Sequence, residues 1–213
     1  IIEPRLSAAL VARFRKHGVM LNPRATLFPP PDCDDDDPNE RAGIQVVEFP
    51  RWMVCKGCSA MVQASPSLQK KQGRYQHACT SGKPSLLVPV RFVAVCPDGH
   101  VDEFPWIDFV HFGSDTECRS SSLLLREDAG GELYDVRVTC AACDTTQSMS
   151  QASSLDQWYQ CRGSRPWLGT GHDVREACEH KMRMKVRTSS STYFAQHQSA
   201  LSIPDKSARL EKL

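Results

Sequence analysis

Two short motifs carry the most specific chemistry in this chain: Cys55-Lys-Gly-Cys58 and Cys140-Ala-Ala-Cys143. Two cysteines separated by two residues fall on one tight turn, so both thiolates can reach one soft cation. Four such ligands suit a tetrahedral zinc ion. Gly57 permits the first turn. Downstream, Cys161 and Cys178 are read as completing the second site with Cys140 and Cys143. A closed four-sulfur site leaves no position for water, so its role is structural. For the first site Cys79 is the third ligand, and Cys96, His77 and His100 compete for the fourth. Cys96 is preferred because it ends an apolar strand. The expectation is therefore two structural Zn2+ ions. His100, His111 and Cys118 are left over; they form a third partial site or satisfy buried hydrogen bonds beside aromatic residues.

The same region raises the question of catalysis. Asp98, His100, Asp102, Glu103, Asp108 and His111 crowd one segment, a composition that a hydrolytic metal centre could use. They do not form a zincin or two-metal signature. The chain also lacks a phosphate-binding GxxxxGK[ST] loop and a nucleophile elbow. Asp102 reads equally well as a residue that orients His100. No catalytic residue is assigned, and the chain is expected not to be an enzyme.

The elements that must position these ligands are short. The central stretch, residues 88–118, holds a buried strand that ends on Cys96, a Pro97-Asp98-Gly99 turn that delivers His100, and the aromatic knot Phe104-Pro105-Trp106. Residues 120–125 and 134–139 read as strands joined by a turn at Gly130-Gly131, the second running into Cys140. Residues 44–49 read as a strand, 63–83 as a polar, Lys-rich loop or short helix, and 149–160 as loosely helical. Residues 163–172 read as a loop around Trp167. Residues 181–187 alternate strictly. Met182, Met184 and Val186 would face inward, and Lys181, Arg183, Lys185 and Arg187 outward. With Lys70, Lys71 and Arg74, those cations are the candidate surface for nucleic acid or an anionic partner. Trp106 and Trp167 are expected as core anchors.

At the N-terminus, Leu6, Leu10, Val11 and Phe14 fall at helical spacing, and Gly18 is a plausible cap. Residues 22–43 hold Pro29-Pro30-Pro31 and the acidic run around Asp34, and read as a disordered or surface arm with Cys33 as a free thiol. Such an arm could mimic nucleic acid or cover a basic channel in a partner.

The fold class expected is α+β: small zinc-ribbon-like, Cys-rich modules with short antiparallel strands and a few helices. Three regions are expected, 1–43, 44–118 and 119–213. The 10 cysteines among 213 residues, several in CxxC pairs, favour metal over disulfides in a cytoplasmic chain. A net charge of +1 gives no global signal for nucleic acid, so local patches must carry it. No apolar run is long enough to span a bilayer. The chain begins Ile1-Ile2 without Met and reads as part of a longer protein.

The order of several rare tokens supports a resemblance. Arg91-Phe92-Val93, Cys96, Gly99-His100, Asp102, Phe104-Pro105-Trp106, Val110-His111 and Cys118 resemble the N-terminal region of the DrmB family, the helicase-associated component of the DISARM anti-phage defence system. Cys140 and Cys143, Cys161, Gly163, Pro166-Trp167-Leu168, Tyr193-Phe194 and Ser199-Ala200-Leu201-Ser202-Ile203-Pro204 continue it, so that it covers roughly residues 49–204. The resemblance implies a non-catalytic accessory subunit that docks on a DrmA-like helicase and helps it engage DNA, directly or through that helicase. Two readings stand beside it: an independent zinc-dependent nucleic-acid-binding protein, and a metal-dependent hydrolase with an open site around His100 and His111.

Overall fold

The computed structural model describes residues 4–22, 46–79, 82–128, 130–154, 159–168 and 175–192. The acidic arm with Cys33, and the end of the family resemblance from residue 193, lie outside them. Contacts divide the chain into two units, Ile1–Gln45 with Ala195–Leu213, and Val46–Phe194. In the first unit the expected helix forms as α1 (Pro4–Lys16), with Arg13, Arg15 and Lys16 in its last turn. Those cations oppose the negative end of the helix dipole. Gly18, at φ 75°, ends it: its N–H donates to the Arg15 carbonyl, and the Val19 N–H to Phe14.

The second unit runs β1 (Trp52–Cys55), β2 (Met61–Gln63), β3 (Lys70–Lys71), β4 (Arg74–Ala78), β5 (Pro84–Pro89), β6 (Phe92–Val95), β7 (Val101–Glu103), α2 (Trp106–Val110), β8 (Leu123–Glu127), β9 (Val136–Cys140), β10 (Thr146–Ser148), α3 (Met149–Ser154), β11 (Tyr159–Gln160) and β12 (Lys181–Val186). The strands build three antiparallel sheets, ordered β2-β1-β5-β4-β3, β10-β9-β8 and β11-β12-β6-β7. The fold is thus α+β, with short antiparallel strands, few helices and clustered cysteines of zinc-ribbon-like character.

The main core gathers side chains from all three sheets and from α2 and α3. Phe92, Phe104, Trp106 and Phe109 meet edge to face: Phe104 lies 4.8 Å from Trp106 and 5.2 Å from Phe109 between ring centres. Leu123, Leu125, Val136 and Val138 pack against them from the β8–β9 hairpin. Strict alternation on β9, with Val136, Val138 and Cys140 inward, carries a ligand to the edge of this core.

Three expectations are corrected. Residues 46–49 form no strand. The Lys-rich segment, read as a loop or short helix, contains β3 and β4 instead, because β5 pairs with β4 along Gln76–Leu86 and His77–Ser85. Tyr75 is buried there and donates to Glu48, and Tyr75 and Lys70 together hold that carboxyl below its usual range. Trp106 is a core anchor at 1% exposure, but Trp167 is 52% exposed on a short 3-10 turn, Pro166–Leu168.

Candidate metal centres

Two turns of the chain are built to the same plan. At β1 the Cys55 N–H donates to the Ala60 carbonyl and the Ser59 N–H to the Cys55 carbonyl, both at 2.9 Å, with Ser59 at φ 61°. At β9 the Cys140 N–H donates to Thr145 and the Asp144 N–H to Cys140, again at 2.9 Å, with Asp144 at φ 58°. Each left-handed residue folds the chain back just after the second cysteine, and so turns both thiols to one side. A shorter version ends β6. The Cys96 N–H donates to the His100 carbonyl and the Gly99 N–H to Cys96, with Gly99 at φ 78°. Here the ligand pair is Cys96 and His100.

Each turn meets a second pair of ligands. Three clusters result: Cys55, Cys58, His77 and Cys79; Cys96, His100, Cys161 and Cys178; and His111, Cys118, Cys140 and Cys143. Within each, the four ligand atoms lie within 4.8 Å of one another. The cysteines are free thiols.

In the first cluster β5 lies between β1 and β4, so the ends of those two strands converge. His77 Nδ1 stands 3.4 Å from Cys58 Sγ and 3.7 Å from Cys79 Sγ, and Cys55 Sγ is 3.3 Å from Cys79 Sγ. Gly57 allows the approach: a Cβ there would come within 2.9 Å of Ser85 and 3.3 Å of Cys79 Sγ. In the second cluster His100 Nδ1 lies 3.3 Å from Cys96 Sγ and 3.5 Å from Cys161 Sγ. The other ring nitrogen faces Glu176 Oε2 at 3.3 Å, and Arg165 donates to that oxygen at 2.8 Å. A carboxylate behind a ligand histidine fixes the tautomer and raises the basicity of the ligating nitrogen. In the third cluster His111, at 4% exposure, uses Nδ1 on the Ile107 carbonyl at 2.7 Å. Its Nε2 is buried with no hydrogen-bond partner among the described residues. An orphaned buried nitrogen beside three thiols is what a metal ligand looks like.

The electrostatics point the same way. Cys79 is pushed up to about 12, chiefly by its bond with Cys55, then by burial. Burial also raises Cys55, but the Gly57 N–H and the neighbouring Cys79 and His77 outweigh it and bring that thiol to about 6. The Thr145 hydroxyl and N–H bring Cys143 to about 6, while burial, with Cys96 and Cys178 adding to it, pushes Cys161 to about 12. Three thiols so close cannot all ionise without a cation among them. Three sulfurs and one imidazole form a donor set that fits a borderline-soft, tetrahedral ion.

All eight cysteines singled out as ligands stand in these clusters, but their grouping is corrected. Cys161 and Cys178 do not join Cys140 and Cys143; they meet Cys96 and His100. Cys96 does not complete the first cluster, where His77 does. The clusters number three instead of two, since the leftover His111 and Cys118 join Cys140 and Cys143. In chain order, the Cys96/His100 and Cys161/Cys178 pairs bracket all four residues of the third cluster. Both clusters draw ligands from either side of position 118. A signal for the second was present in Cys96-Pro-Asp-Gly-His100, a turn with a ligand type at each end. Nothing local marked Cys118.

Of the candidate surface residues, Lys70, Lys71 and Arg74 are exposed on the β3–β4 hairpin, and Lys70 pairs with Glu48 at 3.2 Å over the Tyr75 ring. Lys181, Arg183 and Arg187 are exposed and Lys185 half-buried along β12 and its end. Asp98, Asp102 and Glu103 do not join a metal cluster.

The family described as Domain of unknown function (DUF8724) matches residues 1–194 of the chain. The chain belongs to the DUF8724 family. This DUF8724 chain is also similar to DISARM protein DrmB of Bacillus paralicheniformis, at 31% identity over 176 residues. The match takes in 78% of this chain and 29% of that protein, so the chain spans less than a third of the relative's length. Among the described residues of this DUF8724 member, no helix is long and apolar enough to cross a membrane.

Proposed function

We propose that this chain is a zinc-stabilised, non-catalytic segment of a DISARM component, which docks on a DrmA-like helicase and assists its engagement of DNA in the cytoplasm. The observation that carries the reading is the set of three Cys3His clusters in a chain similar to DISARM protein DrmB. Zinc would be held by Cys55, Cys58, His77 and Cys79, by Cys96, His100, Cys161 and Cys178, and by His111, Cys118, Cys140 and Cys143. Bound there, it would supply folding energy. Four protein ligands fill a tetrahedral ion and leave no place for a reacting water, which supports structural over hydrolytic metal. Of the three regions 1–43, 44–118 and 119–213, the first would then serve as an arm and the other two, joined by two shared clusters, as one docking and cation-bearing body.

The test is co-expression with the helicase and purification through one partner. The expected outcome is a stable complex that binds about three zinc ions per chain, with DNA-stimulated ATPase activity altered by this chain. Failure to associate, or ATP hydrolysis or DNA cleavage by this chain alone, would sink the reading. A second reading, direct nucleic-acid binding independent of a helicase, is favoured by the cations of β12. Glu substitutions at Lys181, Arg183, Lys185 and Arg187 separate the two. Lost DNA affinity with the complex intact places DNA there, and a broken complex places the helicase there.

A further inference from the structure

The register of the β11-β12-β6-β7 sheet sorts its two faces. Arg183 pairs with Val95 and Lys185 with Val93, while Val101 pairs with Val95. Residues paired across an antiparallel ladder share a face. Lys185, Arg183 and, by continuation, Arg187 therefore stand over Val93, Val95 and Val101. Met182, Met184, Phe92 and Ala94 turn to the opposite face, where they enter the core.

On the cationic face lies a groove of about 310 Å³, at the lower end of the range for ligand pockets. Val93 and Val101 line it together with Phe49, Pro50, Trp167 and Arg187. The Trp167 indole is 52% exposed, beside an equally exposed Leu168. Glu103, an acid on this face, is engaged by the backbone, because its carboxylate accepts the N–H of Arg51 and of Trp52. Alternate residues of a strand repeat every ~7 Å, comparable to successive phosphates of an extended single strand. A half-exposed aromatic ring at one end of a cationic strand is the combination that binds unpaired bases: the π-face takes a base and the cations follow the backbone.

We propose that this groove and the outward face of β12 bind single-stranded DNA, with one base stacked on Trp167 and the adjoining phosphates on Arg187 and Lys185. The choice of DNA rests on the DISARM reading; the single-stranded geometry rests on the groove alone. A protein partner would match the apolar lining but not the regular spacing of cations along β12.

The test is fluorescence anisotropy of the full, zinc-loaded chain with labelled oligo(dT), oligo(rU) and a duplex, over a range of salt. Oligo(dT) is expected to bind with strong salt dependence. Trp167→Ala is expected to weaken it on the order of ten- to a hundredfold, with Trp167→Phe restoring most of the loss. Arg187→Ala and Lys185→Ala are each expected to reduce the logarithmic salt slope by about 0.7. Trp167 and Arg187 are exposed and Lys185 is half-buried, so circular dichroism of the variants should match the parent chain. Equal binding by Trp167→Ala, or a preference for duplex, overturns the groove. Preference for oligo(rU) overturns the choice of DNA. Helicase association, measured on the same variants, keeps the two readings apart. A parent chain that binds the helicase but not oligo(dT) sinks the groove alone, whereas a parent chain that binds oligo(dT) but no helicase sinks the DISARM reading alone.

Discussion

His111 illustrates how much a single buried nitrogen can decide. Its ring is fixed by the bond from Nδ1 to the Ile107 carbonyl, and Nε2, without a hydrogen-bond partner among the described residues, is left for the cluster with Cys118, Cys140 and Cys143. His111→Ala is expected to remove about one of three zinc ions, read by metal analysis of the folded protein. His111→Cys supplies a fourth thiolate and should keep the full complement. Glu176 acts one step further out. Glu176→Gln weakens the hold on His100, so the second site should lose about 10–100-fold in zinc affinity, measured by chelator competition, with the other two sites unchanged. At this scale the sequence was most legible in ligand type: cysteines in CxxC turns announce themselves. Which pairs share an ion was not legible, because that depends on strand register tens of residues away. The histidines were harder still. A histidine beside aromatic residues looks the same whether it closes a metal site or a hydrogen bond, and His77 and His111 are separated from other ligands only by where β4 and α2 end.

The elements repay the same scrutiny. β9 and β12 were plain in the alternation of apolar residues, since each has one face on the core, and β6 in an unbroken apolar run, since Phe92, Val93 and Ala94 are all buried. The β3–β4 hairpin was not, because its sequence is polar and its order comes from pairing with β5 and from the Tyr75–Glu48 bond. Trp167 misled for a related reason: Pro and Leu beside an indole suggest burial, yet a three-residue turn gives it little to pack against. Two substitutions test the elements. Gly163, at φ 65°, has no room for a side chain, since a Cβ would fall 1.9 Å from the Glu176 carbonyl. Gly163→Ala should part the segment of Cys161 from that of Cys178 and lower zinc content at the second site. In the core, Trp106 meets Phe92 and Phe104 edge to face. Trp106→Ala should destabilise the second unit by ~3–5 kcal/mol, read by denaturant unfolding with zinc present.

For the whole molecule, the proposed metal would stand in for part of a hydrophobic core. The unit Val46–Phe194 carries short strands, and each sheet meets at least one cluster. Removal of zinc by a strong chelator should therefore unfold it cooperatively, with loss of far-UV signal that returns on adding zinc back. Survival of the fold after complete removal would refute the structural role. The architecture as a class could be read from composition, because many cysteines, short strands and modest apolar content leave few other solutions.

The bracketing of one cluster by another also bears on how the chain is made. During synthesis the first cluster has all its ligands once Cys79 has emerged, the inner one once Cys143 has, and the outer one only with Cys178. Ligands for each proposed ion thus become available in that sequence, although β5, which lies between β1 and β4, emerges only after the first set is complete. Closing the inner cluster first also draws His100 and Cys161 together before the outer ion arrives. The last and longest loop is then already shortened when it closes, and its entropy cost is reduced.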